Sequence, residues 1–199
     1  MLTDFYGNNL TTSTGLARDS YDVGLRAFLS ANYGAQEAFS QSIEADPNFA
    51  LAYLGLARAF MSSGHAPEAK AALGKAKNLL DGVTDREKSH FLCCELILLG
   101  ESKKARAAVH KHVLEWPRDA MVAQMNTSVF GLIGFSGEVG REVDLLEYTE
   151  RLLPHYGEDW WMASMHAISL CETGQTLKSM QLMEKALNLN PRNANAAHF

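Results

Sequence analysis

One spacing recurs along the chain. Amphipathic runs end at Pro47, Asp81, Pro117, Pro154 and Pro191, which stand 34, 36, 37 and 37 residues apart. A period of this length marks stacked supersecondary units, each unable to bury its apolar face without its neighbours. The clearest unit is ALAYLGLARAFMSSGHAPEAKAALGKAKNLLD, Ala50 to Asp81. Tyr53, Leu56 and Phe60 recur at intervals of three and four and so form one stripe of a first helix. Ala57, Ala69 and Ala76 are small where helices must approach. Gly64 supplies a permissive backbone between the helices, and Pro67 fits the first turn of the second. The chain therefore reads as all-α, an α-solenoid of about five helical hairpins forming one body over residues 1–199. The units span about 16–49, 50–85, 86–122, 123–159 and 160–193, with an incomplete sixth at 194–199.

Composition agrees with a packed domain. Hydrophobic residues are 47% and charged residues 21% of the chain, and no linker separates two differently composed halves. The apolar stretch near Phe91 to Gly100 is broken by Glu95 and falls short of the roughly 20 residues that cross a bilayer, so no membrane partner is expected. The opening MLTDFYGNNLTTSTG lacks a basic stretch followed by an apolar one, which makes the cytoplasm the expected location. Three cysteines, two of them adjacent at Cys93 and Cys94, fit reduced thiols rather than a disulfide frame. A net charge of -5 disfavours nucleic acid, whose binding rests on neutralising phosphates. The cluster Lys103, Lys104, Arg106 and Lys111 reads as a solvated helix face.

The 50–81 pattern resembles the tetratricopeptide repeat. A narrower resemblance, to the tetratricopeptide repeat protein 38 family, is carried by the TDRE start at Thr84, the WPRD junction at Trp116 and the NPRNANAAH junction at Asn190. It implies a right-handed solenoid, a non-catalytic role, and a chain that looks like the front half of a longer one. In such repeats ligands lie in a concave groove lined by the first helix of each unit. Carried over by register, the groove residues are Leu51, Leu54, Arg58 and Met61, then Glu87, His90, Cys94 and Ile97. Gln124, Thr127, Gly131 and Gly134 follow, then Trp161, Ser164, Ile168 and Cys171, and finally Asn195 and His198. The surface is part apolar and lacks a run of Lys, Arg and Asn, so the expected occupant is a protein or peptide segment or an apolar ligand, with no cofactor.

The alternative is a metalloprotein or enzyme. Glu87, His90 and Cys94 stand at i, i+3 and i+7 on one helical face, and all three side chains can bind metal. The Glu-x-x-His pair occurs only once, and Cys94 has no evident orienting carboxylate, so no metal or catalytic residue is assigned. His110 and His112 point about 200 degrees apart on a helix. The stretch GLIGFSGEVGRE, Gly131 to Glu142, lacks the strand and lysine of a phosphate loop, and close helix packing plus a hairpin turn explains it. Trp160 is expected inward and Trp161 toward the groove. Met180, Met183 and Leu187 line a last helix face with no cap in the sequence, from which a homodimer through the C-terminal hairpin is expected.

Overall fold

In a computed structural model, which describes residues 1–198, helices pair in chain order. The first hairpin is α1 (Gly15–Leu29) with α2 (Ala35–Ala45), the second α3 (Ala50–Ser62) with α4 (Ala66–Lys77), and the third α5 (Asp85–Leu98) with α6 (Ser102–Glu115). A short α7 (Ala120–Ala123) and α8 (Arg141–Tyr156) follow, then the hairpin of α9 (Trp160–Glu172) and α10 (Thr176–Leu189), and a last turn α11 (Ala194–His198). This is a solenoid of helical hairpins. Among the described residues no helix is long and apolar enough to cross a membrane.

Local chemistry sets the boundaries. Three hairpin turns use the same device: Gly64, Gly100 and Gly174 hold φ of 78°, 74° and 78°, and the next residue donates its N–H to the carbonyl five positions back. That closes the first helix with a left-handed residue and satisfies its last carbonyls. At the start of α5, Thr84 and Glu87 bond each other's backbone N–H groups in a capping box. Asp159 caps α9 by accepting from the Met162 N–H at 2.8 Å.

The repeat pattern translates into packing. The Phe39 ring is wedged between α1 and α3, where a Cβ at Gly24 would come within 2.8 Å of it and one at Gly55 within 2.5 Å. Ser42, the polar residue that makes the first unit atypical, is buried and donates its hydroxyl to the Ala17 carbonyl at 2.7 Å. The polar group is therefore compensated.

Unit four departs from the expected hairpin. Its first helix ends after Ala123, and residues 124–140 run through turns and one 3-10 turn at Gly134–Ser136 before α8 begins. The backbone folds on itself there: Leu132 donates to the Met125 carbonyl at 2.8 Å, and Ser128 adopts φ of 66°. A Cβ at Gly131 would lie 2.2 Å from the Thr127 carbonyl oxygen, and one at Gly134 equally close to that of Val129. These glycines serve the crossing of the chain over itself, not close helix packing.

The stack curls until its last junction reaches its first hairpin. Asn195 donates its N–H to the Ser30 carbonyl, and the Asn32 amide donates to the carbonyl of Arg192. On α10, Leu177 and Met180 are exposed, while Met183 and Leu187 are partly covered.

Ala57 and Ala76 are buried at 1% and 0% exposure, as their small size in the repeat requires. Replacing Ala76 by Leu overpacks the second hairpin and is expected to cost about 1 to 3 kcal/mol in chemical denaturation; a change within about 0.5 kcal/mol would place the register elsewhere.

Candidate functional site

Side chains of α1, α5, the junction after α6, α8 and α9 enclose a channel that the chain's own first residues fill. Residues 1–14 form a small loop closed by a bridge between Thr3 and Asn9, with the Leu10 N–H on the Leu2 carbonyl at 2.9 Å. Asp4 organises it. Its Oδ1 accepts from the N–H groups of Tyr6 at 3.0 Å and Asn8 at 2.8 Å, which turns the chain at Gly7. Burial raises the Asp4 pKa above its ordinary value, and the bonds from Asn8 only partly oppose this.

Side chains from the first, third and fourth units and from the start of α9 hold the segment. Asp22 of α1 accepts from the Phe5 N–H at 2.8 Å, and Asp46, after α2, accepts from the Thr12 hydroxyl at 2.5 Å. From the third hairpin, Glu87 Oε1 accepts from the Thr11 hydroxyl at 2.9 Å, and Arg86 donates to the Asn9 carbonyl at 2.9 Å. Arg118 donates to the Tyr6 carbonyl at 2.6 Å while its own carbonyl accepts from the Asn8 amide at 3.0 Å. The Tyr6 ring meets Tyr156 and Trp161 edge-on, with centroids 5.4 and 6.4 Å away. Backbone groups that would otherwise be orphaned inside the channel are thereby satisfied.

Behind this clasp lies a buried charge hub. Oδ2 of Asp119 accepts from Arg86 at 2.5 Å and from His90 Nδ1 at 3.1 Å, with His112 Nε2 at 3.3 Å. The other ring nitrogen of His112 is 2.9 Å from the Ser89 hydroxyl. Burial alone would raise the Asp119 carboxyl, but His90, Arg86 and His112 outweigh it and hold its pKa well below 3.8. Burial also lowers the His90 pKa against the pull of Asp119, which favours the neutral ring donating from Nδ1.

The groove residues inferred from register separate into distinct environments. Leu51 and Leu54 are core, at 0% and 1% exposure. Glu87, His90 and Cys94 share one helix but not one site: Glu87 bonds Thr84 and Thr11, His90 bonds Asp119, and burial pushes the Cys94 thiol up to about 12. Among the described residues no group of three or more His, Cys, Asp or Glu is arranged to hold a metal ion. Thr127 is buried with its hydroxyl on the Gln124 carbonyl. Trp160 and Trp161 are both buried, so Trp161 meets Tyr6 rather than an open groove. Ser164 accepts from the Asn193 amide at 3.3 Å, and His198 is exposed on α11. Several of these residues line open space: a cavity of about 460 Å³ takes in Arg58, Ile97, Gln124 and Gly131, and a neighbouring concavity of about 800 Å³ shares Gln124, Ser128 and Phe130 with it.

Register reasoning missed Arg86, His112, Asp119 and the first fourteen residues. The first three fall outside the groove positions of the repeat, and a segment ahead of the first unit has no register. The Thr84-x-x-Glu87 capping signature, however, was open to reading as a helix start that engages the Glu87 carboxylate.

A tetratricopeptide repeat family model matches residues 34–86, from the turn before α2 into the start of α5. No curated protein matches the sequence. Among solved structures, the chain is similar to YrrB, described as a TPR protein with an unusual peptide-binding site. The identity is 18%, with 90% of this chain and 87% of that one covered, at a TM-score of 0.46. It is also similar to MamA, at 18% identity with 90% and 94% covered and a TM-score of 0.40.

Removing the shared partner of three buried cations and donors is costly. Asp119→Ala is expected to lose about 3 to 5 kcal/mol in chemical denaturation, because Arg86 stays buried without its counter-charge, while Asp81→Ala at an exposed carboxylate stays within about 0.5 kcal/mol. The folded pKa of Asp119 lies below its unfolded value. Its contribution is therefore whole above pH 3.8 and shrinks as pH falls from there through the folded pKa; an unchanged gap between wild type and Asp119→Ala across that window would contradict the ionised hub.

Proposed function

We propose that the protein is a non-catalytic helical scaffold that binds a protein segment in its channel, and that residues 1–14 occupy that channel in cis. One observation carries this reading: a non-helical segment lies in the channel and is held largely through its backbone, by Asp22, Arg86, Glu87 and Arg118. Backbone recognition by side chains from a rigid frame is how grooves accept extended peptides, with a few pockets, here the Tyr6 site, setting specificity. A partner segment presenting an aromatic side chain and a turn-forming carboxylate would meet the same groups.

We read the chain as a member of the tetratricopeptide repeat protein 38 family, a reading supported by the structural roles of the residues that carry the resemblance, in the clasp, in the hub behind it and at the closing junction. TDRE contributes Thr84, Arg86 and Glu87, and WPRD contributes Arg118 and Asp119. The NPRNANAAH junction contributes Asn193, whose side chain accepts from the Ala196 N–H at 3.1 Å at the start of α11. An enzymatic or metal-binding reading finds less support, because Glu87 and His90 are engaged in structural bonds and the Cys94 thiol is held protonated.

The test keeps the folded chain. A protease site inserted after the exposed Ser13 is cut, and the freed segment is followed by gel filtration. It is expected to stay bound and to exchange with a fluorescent synthetic copy of residues 1–13, while a copy carrying Asp4→Ala competes at least about tenfold more weakly, as loss of hydrogen bonds to a charged acceptor implies. A segment that departs at once from a body that stays folded would contradict the proposal.

A further inference from the structure

The cavity beside Arg58 lies apart from the clasp and poses a charge problem of its own. Its floor is Arg58 of α3, whose guanidinium is partly buried, rests 5.4 Å over the Phe28 ring, and donates to the neutral Oε1 of Gln124 at 2.6 Å. Its Nε is buried without a hydrogen-bond partner. Among the described residues no carboxylate forms an ion pair with it, and burial lowers its pKa, opposed only in part by the neighbouring thiols of Cys94 and Cys93.

The rest of the wall repeats the pattern. The one acidic lining residue, Glu138, is bonded to Arg106 at 2.5 Å. Lys103 and Ser102 belong to the first turn of α6, where free N–H groups add partial positive charge. The remaining surface is mostly apolar, with Ser128 and Ser136 as its polar members: Ile97, Met125, Leu132 and the edge-to-face pair Phe130 and Phe135, whose rings are exposed and 5.5 Å apart. A guanidinium presents a planar fork that matches a carboxylate, and a volume of about 460 Å³ is of small-ligand size.

We propose that this cavity binds a small organic acid with an apolar body, its carboxylate on Arg58 and its body against Phe130, Phe135 and Leu132. The irregular course of residues 124–140 acquires a purpose in this arrangement. A regular helix in unit four would not bring Gln124, Phe130 and Phe135 together around Arg58, and the glycine crossing does.

Calorimetric titration of the intact chain with decanoate and with 4-phenylbutyrate, each beside its primary amide, tests the assignment. At least one acid is expected to bind about tenfold or more tightly than its amide, the scale of a hydrogen bond to a charged group; the better acid tells whether the body is chain-like or ring-like. Arg58→Gln abolishes the preference, Arg58→Lys retains part of it, and Phe135→Ala weakens acid and amide alike while leaving their ratio unchanged. Thermal unfolding of each variant separates lost binding from lost fold. Equal binding of acid and amide, no binding of either acid at millimolar concentration, or a preference that survives in folded Arg58→Gln overturns the proposal. None of these outcomes depends on whether the segment 1–14 exchanges.

Discussion

The structure turns on one carboxylate. Asp119 stands at the junction between the third and fourth units, and its Oδ2 draws Arg86, His90 and His112 from two helices of the third hairpin onto a single buried point. A buried charge is tolerated only when paired and hydrogen-bonded, so each of these side chains is positioned by the need to satisfy the others. Arg86, fixed in this way, turns its second nitrogen to the Asn9 carbonyl. The hub thus aims the clasp, and the clasp shapes the channel.

The geometry of the stack follows from the same economy of polar groups. A solenoid with an open concave face leaves its inner side chains to water or to a ligand. Here the stack curls until residues 192 and 195 reach the first hairpin, and the space enclosed is taken by a segment that brings Tyr6 and Leu10 as apolar filling and its backbone as hydrogen-bonding surface. A capping box and glycine turns fix the helix ends of the frame, while the segment is tied by side chains whose bonds can be exchanged for those of a competing chain. The irregular stretch 124–140 stands outside this clasp and opens a separate cavity.

Much of the frame was legible in the spacing of small and large residues. Ala57 and Ala76 lie where the 50–81 pattern puts them, and Gly64, Gly100 and Gly174 close three hairpins in the same way. Unit four was not legible, because apolar residues at Val129 and Ile133 keep helical spacing while Gly131 and Gly134 permit a backbone crossing that no periodicity records. Register left the contents of the channel unread. Trp161 and Ser164 are buried, and their partners are Tyr6 and Asn193, residues distant in the chain. The hub escaped because His112 and Asp119 lie in positions where a repeat ordinarily puts packing or junction residues, and only the fold brings them to His90.

The claim that the first residues are a ligand held in cis, and not one more layer of core, is tested most directly by native-state hydrogen exchange. The N–H groups of Phe5, Tyr6, Asn8, Leu10 and Thr11, all bonded in the structure, are expected to be protected but to exchange through an opening with a free energy well below that of global unfolding. Amides of α3 and α9 exchange only through the global transition. Exchange of the segment at the same free energy as those helices would contradict the account, as would no protection at all.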